Sequence, residues 1–168
     1  MHSCRKILVV LLGSVFATGV ATAQDEALFT SRSLVPETAL AAATAALEKC
    51  RADGYQVAVA VVDRAGIMQA LVRDRFAGAH TIDTARRKAW TAASFRTDTS
   101  DIVQFVEETP QQAGILQITE AMVVAGGRVI EAAGALVGAI GVSGAPNGTI
   151  DDVCAKAGIE AIEVDIQF

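Results

Sequence analysis

The sequence predicts an α+β domain built on a five-stranded antiparallel sheet, and three observations carry that prediction. Two runs, Gln56-Val-Ala-Val-Ala-Val-Val-Asp63 and Leu136-Val-Gly-Ala-Ile-Gly-Val-Ser-Gly144, are each about as long as one strand and alternate bulky residues with Ala or Gly. Short Gly-containing turns join apolar runs at spacings that only hairpins satisfy, so neighbouring strands are antiparallel. Segments with helical spacing stand before, between and after the strands. The order is α-ββ-αα-βββ-α, with helices flanking the sheet.

Pro36 suits the first position of a helix, where its missing N–H costs nothing. Leu40, Ala43, Ala46, Leu47 and Cys50 follow at helical spacing, and Gly54 ends the segment. A strand then runs from Gln56 to Val62. Successive side chains in a strand point to opposite faces. Val57, Val59 and Val61 therefore line one face, while Ala58 and Ala60 leave the other shallow. Asp63-Arg-Ala-Gly66 is turn chemistry, and Ile67 to Arg73 returns as the partner strand.

Asp74 to Ala79 reads as a loop. A helix capped near Thr81 runs to about Phe95, with Ile82, Ala85, Ala89, Trp90 and Ala93 on its apolar side. Asp98-Thr-Ser-Asp101 starts a second, shorter helix that Pro110 closes. Ala121 to Ala125 and Arg128 to Ala132 flank Gly126-Gly127, a two-residue hairpin signal. Gly134 turns the chain into the Leu136 to Ser143 strand. Pro146-Asn-Gly148 breaks that strand, and Thr149-x-x-Asp152 is a capping box for the last helix. The predicted shape is profilin-like or PAS-like. A shallow sheet face admits a helix, a neighbouring subunit or a flat ligand.

The first residues stand apart from this domain. Arg5 and Lys6, the apolar stretch Ile7 to Val20 and Ala21-Thr-Ala23 have the layout of a secretory signal peptide cleaved after Ala23. Residues 24–34 are a polar linker and 35–168 a single domain. The expected location is secreted or periplasmic. The chain carries 14 basic and 19 acidic residues, and losing Arg5 and Lys6 takes the formal charge from −5 to −7. That balance, with only 5% aromatic residues, argues against nucleic acid, whose phosphates need Lys and Arg clusters. No later segment could span a bilayer uninterrupted. Cys4 leaves with the leader. Cys50 and Cys154 remain on the first and last helices, either as a disulfide in an oxidising compartment or as two buried thiols.

Conventional catalytic equipment is scarce, so an enzyme is not the expectation. Gly141-Val-Ser143-Gly-Ala145 lacks the last Gly of a nucleophile elbow, and Ser143 precedes a turn instead of opening a helix. No Gly-rich run has phosphate-loop spacing. His80, where the second helix begins, is the one histidine after the leader. The positive end of the helix dipole favours a neutral ring there, the form that binds metals. Arg73, Arg75, Arg86, Arg87 and Lys88 lie in the surrounding segment. Cations beside one such imidazole and an apolar surface suit an anionic planar cofactor such as heme. A solvated histidine on an ordinary basic face is the plainer alternative.

From about Pro36 onward the chain resembles the GlcG/HbpS-type heme-binding domain, also labelled heme-degrading. The residues that carry the resemblance are Val57-Ala-Val-Ala-Val-Val-Asp63 with Gly66, Arg73-Asp74, Ala85-x-x-Lys88-Ala-Trp-Thr-Ala92, Gly126-Gly127, Leu136 to Gly144 and Asp151-Asp152. The resemblance implies the α+β fold, self-association into dimers or larger rings, and in some members binding of heme or a corrinoid for sequestration or redox sensing. The expected site is His80 as axial ligand to heme iron with Arg73 and Lys88 near the propionates. Met68 and Met122 are alternative soft ligands. The rival readings are an oligomeric scaffold without cofactor and, last, an enzyme acting on short acids.

Overall fold

The computed structural model describes residues 28–167. The leader and its cleavage site lie outside the described residues, as does the start of the linker. The chain divides after Thr30, and the compact unit from Ser31 to Phe168 holds every element below.

Those elements are α1 (Pro36–Ala52), β1 (Ala58–Asp63), β2 (Met68–Arg73), α2 (His80–Phe95), α3 (Thr99–Glu108), a 3₁₀ segment (Pro110–Gln117), β3 (Gly127–Ala132), β4 (Ala135–Ser143), α4 (Gly148–Glu160) and the short α5 (Glu163–Ile166). Pro36 opens α1 as the sequence predicts. Glu37 in the first turn and Lys49 and Arg51 in the last complement the helix dipole. Ala39, Ala42, Ala43, Ala46, Leu47 and Cys50 form its buried stripe. Leu40 falls outside that stripe and is half exposed.

The sheet has four strands in the order β2-β1-β4-β3, all antiparallel. A fifth strand at Ala121 to Ala125 was expected and does not form. That segment is pinned to α2 instead: Met122 N–H donates to Thr91 Oγ1 at 2.8 Å, and Arg87 donates to the carbonyls of Glu120 at 3.2 Å and Ala121 at 2.9 Å. Gly126 has φ +113°, while Gly127 already pairs with Gly141 in the ladder, so Gly126-Gly127 is not a hairpin turn. The two-residue turn is Ala133-Gly134, with φ of 50° and 74°, joining β3 to β4. The last helix is capped by Asn147, whose Oδ1 accepts from Ile150 N–H at 3.0 Å, and not by Thr149.

The Val/Ala alternation of β1 sorts the core into two layers. Val57, Val59 and Val61 join Ile140 and Val142 under α1 and α4. On the opposite face Ala58, Ala60, Val62 and Ala139 meet Ala85, Ala89, Ala92 and Ala93 of α2. The approach of α2 is so close that a Cβ at Gly141 would lie 2.1 Å from the Ala85 carbonyl oxygen and 2.5 Å from the Ala89 nitrogen. Of the three occupants a shallow face admits, the chain's own helix takes it. On the other side Cys50 and Cys154 form a disulfide between α1 and α4, Cα to Cα 5.5 Å, both fully buried.

Candidate functional site

The turn from β2 into α2 places His80 at the first position of the helix, exposed to solvent. The local structure is set by neighbours: Thr81 Oγ1 and N–H both donate to the Gly78 carbonyl, at 2.6 Å and 3.0 Å. The imidazole folds back over Gly78, where an added Cβ would come within 2.7 Å of Cε1 and 2.8 Å of Nδ1. Only glycine leaves room for the ring in this position.

The loop before His80 is organised by a buried carboxylate. Asp74 is 3% exposed. It accepts from Arg51 Nε at 2.8 Å and from the Arg75 N–H at 2.8 Å. Its own N–H donates to the Val57 carbonyl at 2.9 Å. The Arg51 hydrogen bond, against the cost of desolvation, holds the Asp74 carboxyl below its ordinary range. With Asp74 fixed, Ala77 is also buried, while Arg73, Arg75, Phe76 and Gly78 are exposed. Arg73 donates through Nη1 to the Ala77 carbonyl. The Arg75 side chain is 72% exposed, and Phe76 is 81% exposed. Imidazole, phenyl and two guanidinium groups therefore sit within one short stretch of surface chain.

Lys88 does not belong to that surface. It lies two helical turns further on, roughly 12 Å along the axis, and is 2% exposed. Its Nζ donates to Asp151 Oδ2 at 2.8 Å and to the Val142 carbonyl at 3.0 Å. Asp151 Oδ1 accepts in turn from Ala145 N–H at 3.0 Å. Lys88, expected beside propionates, is here held in a buried ion pair, and burial this deep is tolerated because every charge is paired. Burial pushes the Asp151 carboxyl up, and the Lys88 ammonium opposes it. Arg86 and Arg87 are likewise engaged, Arg86 with Asp83 at 2.8 Å and Glu120 at 2.6 Å. Met68 is partly exposed on β2, and Met122 is half-buried in the segment docked on α2.

Two other features escaped the sequence reading. Arg128 bridges Asp98 at 3.0 Å and Asp152 at 2.6 Å. The bridge lies beside a groove of about 430 Å³ that Lys156, Ile159 and Glu163 also line. Burial raises the Asp98 carboxyl. A second groove, about 360 Å³, lies between the end of α2 and α3 and is lined by Phe95, Ile102, Phe105 and Ile115. Neither groove is lined by His80, Met or Cys, so neither offers iron a soft or imidazole donor. Among the described residues no group of three or more His, Cys, Asp or Glu could hold a metal ion, and no helix is long and apolar enough to cross a membrane.

The model of the HbpS-like family, described as haem-degrading, matches residues 34–160. Among solved structures the chain is similar to a double mutant of HbpS from Streptomyces reticuli, at 38% identity over 87% of this chain and 98% of that one, with a TM-score of 0.76. It is similar to PduOC in a complex with heme at 25% identity, covering 81% of this chain and 99% of that one, with a TM-score of 0.70. Klebsiella pneumoniae ORFY shares the fold, with a TM-score of 0.77 at 23% identity, covering 82% and 95% of the two chains. No curated protein matches the chain. Heme is the tetrapyrrole these relatives name, and a corrinoid finds no support among them. With the fold and most of its length in common, this chain belongs to the HbpS-like family.

Proposed function

We propose that the chain is an exported heme-binding protein in which His80 presents its imidazole to the iron. Arg73 and Arg75 lie on the same loop for the propionates, and Phe76 offers a ring to stack on the porphyrin face. The observation that carries this reading is the exposed imidazole grouped with an exposed phenyl and two guanidinium groups, in a family whose relatives include a heme complex. Bound heme supplies a redox-active iron. The chain's own residues hold and orient it. An imidazole on the surface leaves the far side of the porphyrin open, which suits sequestration, transfer or redox sensing. Export rests on the leader-like residues 1–23 and on the Cys50–Cys154 bond, since disulfides persist in oxidising compartments.

Absorbance titration with hemin tests the reading. The wild type develops a Soret shift at one equivalent, and His80→Ala abolishes it. Arg73→Ala and Arg75→Ala each weaken binding about two- to fivefold, the effect of an exposed charge pair of about 0.5–1 kcal/mol. A spectrum that His80→Ala leaves unchanged rules out this ligation. A colourless protein indifferent to hemin favours the oligomeric scaffold.

A further inference from the structure

Two adjoining grooves lie where the end of α2 meets α3 and the 3₁₀ segment. Their volumes are about 360 and 340 Å³, and Phe95, Phe105 and Ile115 line both. Together they make one continuous apolar surface. Much of it is open: Phe105 is 48% and Ile118 44% exposed, and Leu116, next to Ile115, is 49% exposed. The 3₁₀ segment has no buried residue. Its apolar side chains therefore have no core of their own among the described residues.

The rim of this surface carries one sign of charge. From Thr97 to Gly127 the chain has no Lys or Arg, and its charged residues are Asp98, Asp101, Glu107, Glu108 and Glu120. Asp98 is paired with Arg128 and Glu120 with Arg86. Among the described residues no ion pair reaches Asp101, Glu107 or Glu108, all of them exposed. Glu108 accepts only from the Gln104 amide, at 2.7 Å. Asp101 lines the first groove directly. Residues three and four apart are neighbours on a helix, so Asp101 and Glu108 flank Phe105 along α3. Arg96, next to Phe95 in sequence, lines neither groove.

We propose that this groove is the docking site for a cationic amphipathic helix of another protein. Apolar side chains at helical spacing enter the groove over Phe95, Phe105 and Ile115. Lys or Arg residues on the shoulders of that helix meet Asp101 and Glu108 at the rim. Charge decides between this occupant and others. Heme would bring its propionates against the same carboxylates, and the lining offers iron no imidazole. An anionic lipid surface is repelled for the same reason. A second copy of the chain, at a formal charge of −5, sets acid against acid. A cationic partner is attracted by the whole molecule and oriented by the rim. The docking site goes beyond heme binding, uses none of its residues and holds with or without hemin.

Fluorescence anisotropy tests it, with a labelled Leu/Lys peptide of amphipathic helical pattern titrated with the hemin-free protein. The wild type binds the peptide, and binding weakens as salt rises. A scrambled peptide of the same composition and a Leu/Glu peptide of the same pattern bind at least about tenfold more weakly. Phe105→Ser weakens binding about tenfold or more. Asp101→Asn with Glu108→Gln weakens it about two- to fivefold for each charge removed and flattens the salt dependence. If Phe105→Ser does not fold, the Asp101 and Glu108 pair of substitutions decides alone. A wild type that ignores the Leu/Lys peptide overturns the proposal, as does equal binding of the scrambled or Leu/Glu peptide. Binding that these variants leave unchanged overturns it too. So does each rival occupant: hemin that displaces the peptide, an oligomer whose mass Phe105→Ser lowers, or phosphatidylglycerol vesicles that retain the wild type but not Phe105→Ser. A missing Soret shift in the hemin titration bears on His80 alone and leaves the peptide result standing.

Discussion

Lys88 and Asp74 show how much a single charge depends on what lies around it. Lys88 looks like part of a basic helical face, and its partner Asp151 stands 63 positions away. Nothing local in the sequence distinguishes a buried ammonium from a solvated one. Lys88→Ala leaves the Asp151 carboxylate buried without its cation and lowers unfolding free energy by about 3–5 kcal/mol. Lys88→Met combined with Asp151→Leu recovers most of that loss in a denaturant titration, with hemin binding unchanged. Asp74 acts in the other direction. A carboxyl held below its unfolded value adds stability that is present above about pH 4. That stability is lost as pH falls through the folded value. Asp98 and Asp151, raised by burial, contribute stability at low pH that fades as pH rises through their folded values. Melting temperature followed from pH 7 to pH 3 drops on the acid side in the wild type, and Asp74→Asn flattens that drop. An identical acid limb in Asp74→Asn contradicts the role given to Arg51.

At the scale of elements, the alternation in β1 and β4 was legible because each face has a distinct demand. Valines fill space under α1 and α4, while Ala and Gly let α2 lie directly on the sheet. The helices were legible from spacing, and Pro36 and Gly54 marked the ends of α1. The segment expected to form a fifth strand was misread, because none forms there. Gly126-Gly127 carries the letters of a tight turn, yet the segment before it finds its hydrogen bonds on α2 through Thr91 and Arg87. Those partners are more than 30 positions distant, beyond any local pattern. Ala133-Gly134, a weaker signal, makes the turn because the β3–β4 register closes there. The Cys50–Cys154 bond joins residues 104 apart. In the chain-entropy model so long a loop contributes about 4–5 kcal/mol. Reduction, or Cys50→Ala with Cys154→Ala, lowers the denaturation free energy by that order. Two free thiols in non-reduced protein by intact mass contradict the bond.

For the whole molecule, the sheet that first suggested room for a flat ligand has no free face. One side carries α1 and α4 and the other α2. In the proposed reading ligand chemistry lies at the periphery, where β2 hands over to α2 and His80, Phe76, Arg73 and Arg75 are exposed. His80 was legible as the one histidine after the leader-like residues, at a helix start. Phe76 was missed because a single aromatic in a loop carries no periodicity. With Lys88 in its buried pair, the cations of the proposed site are arginines, which suits bidentate recognition of carboxylates. Chemical rescue addresses the central claim most directly. His80→Gly should bind hemin weakly and show no imidazole-ligated ferric spectrum, and added imidazole should restore the wild-type Soret band. A His80→Gly protein whose heme spectrum matches the wild type before imidazole is added would contradict ligation by His80.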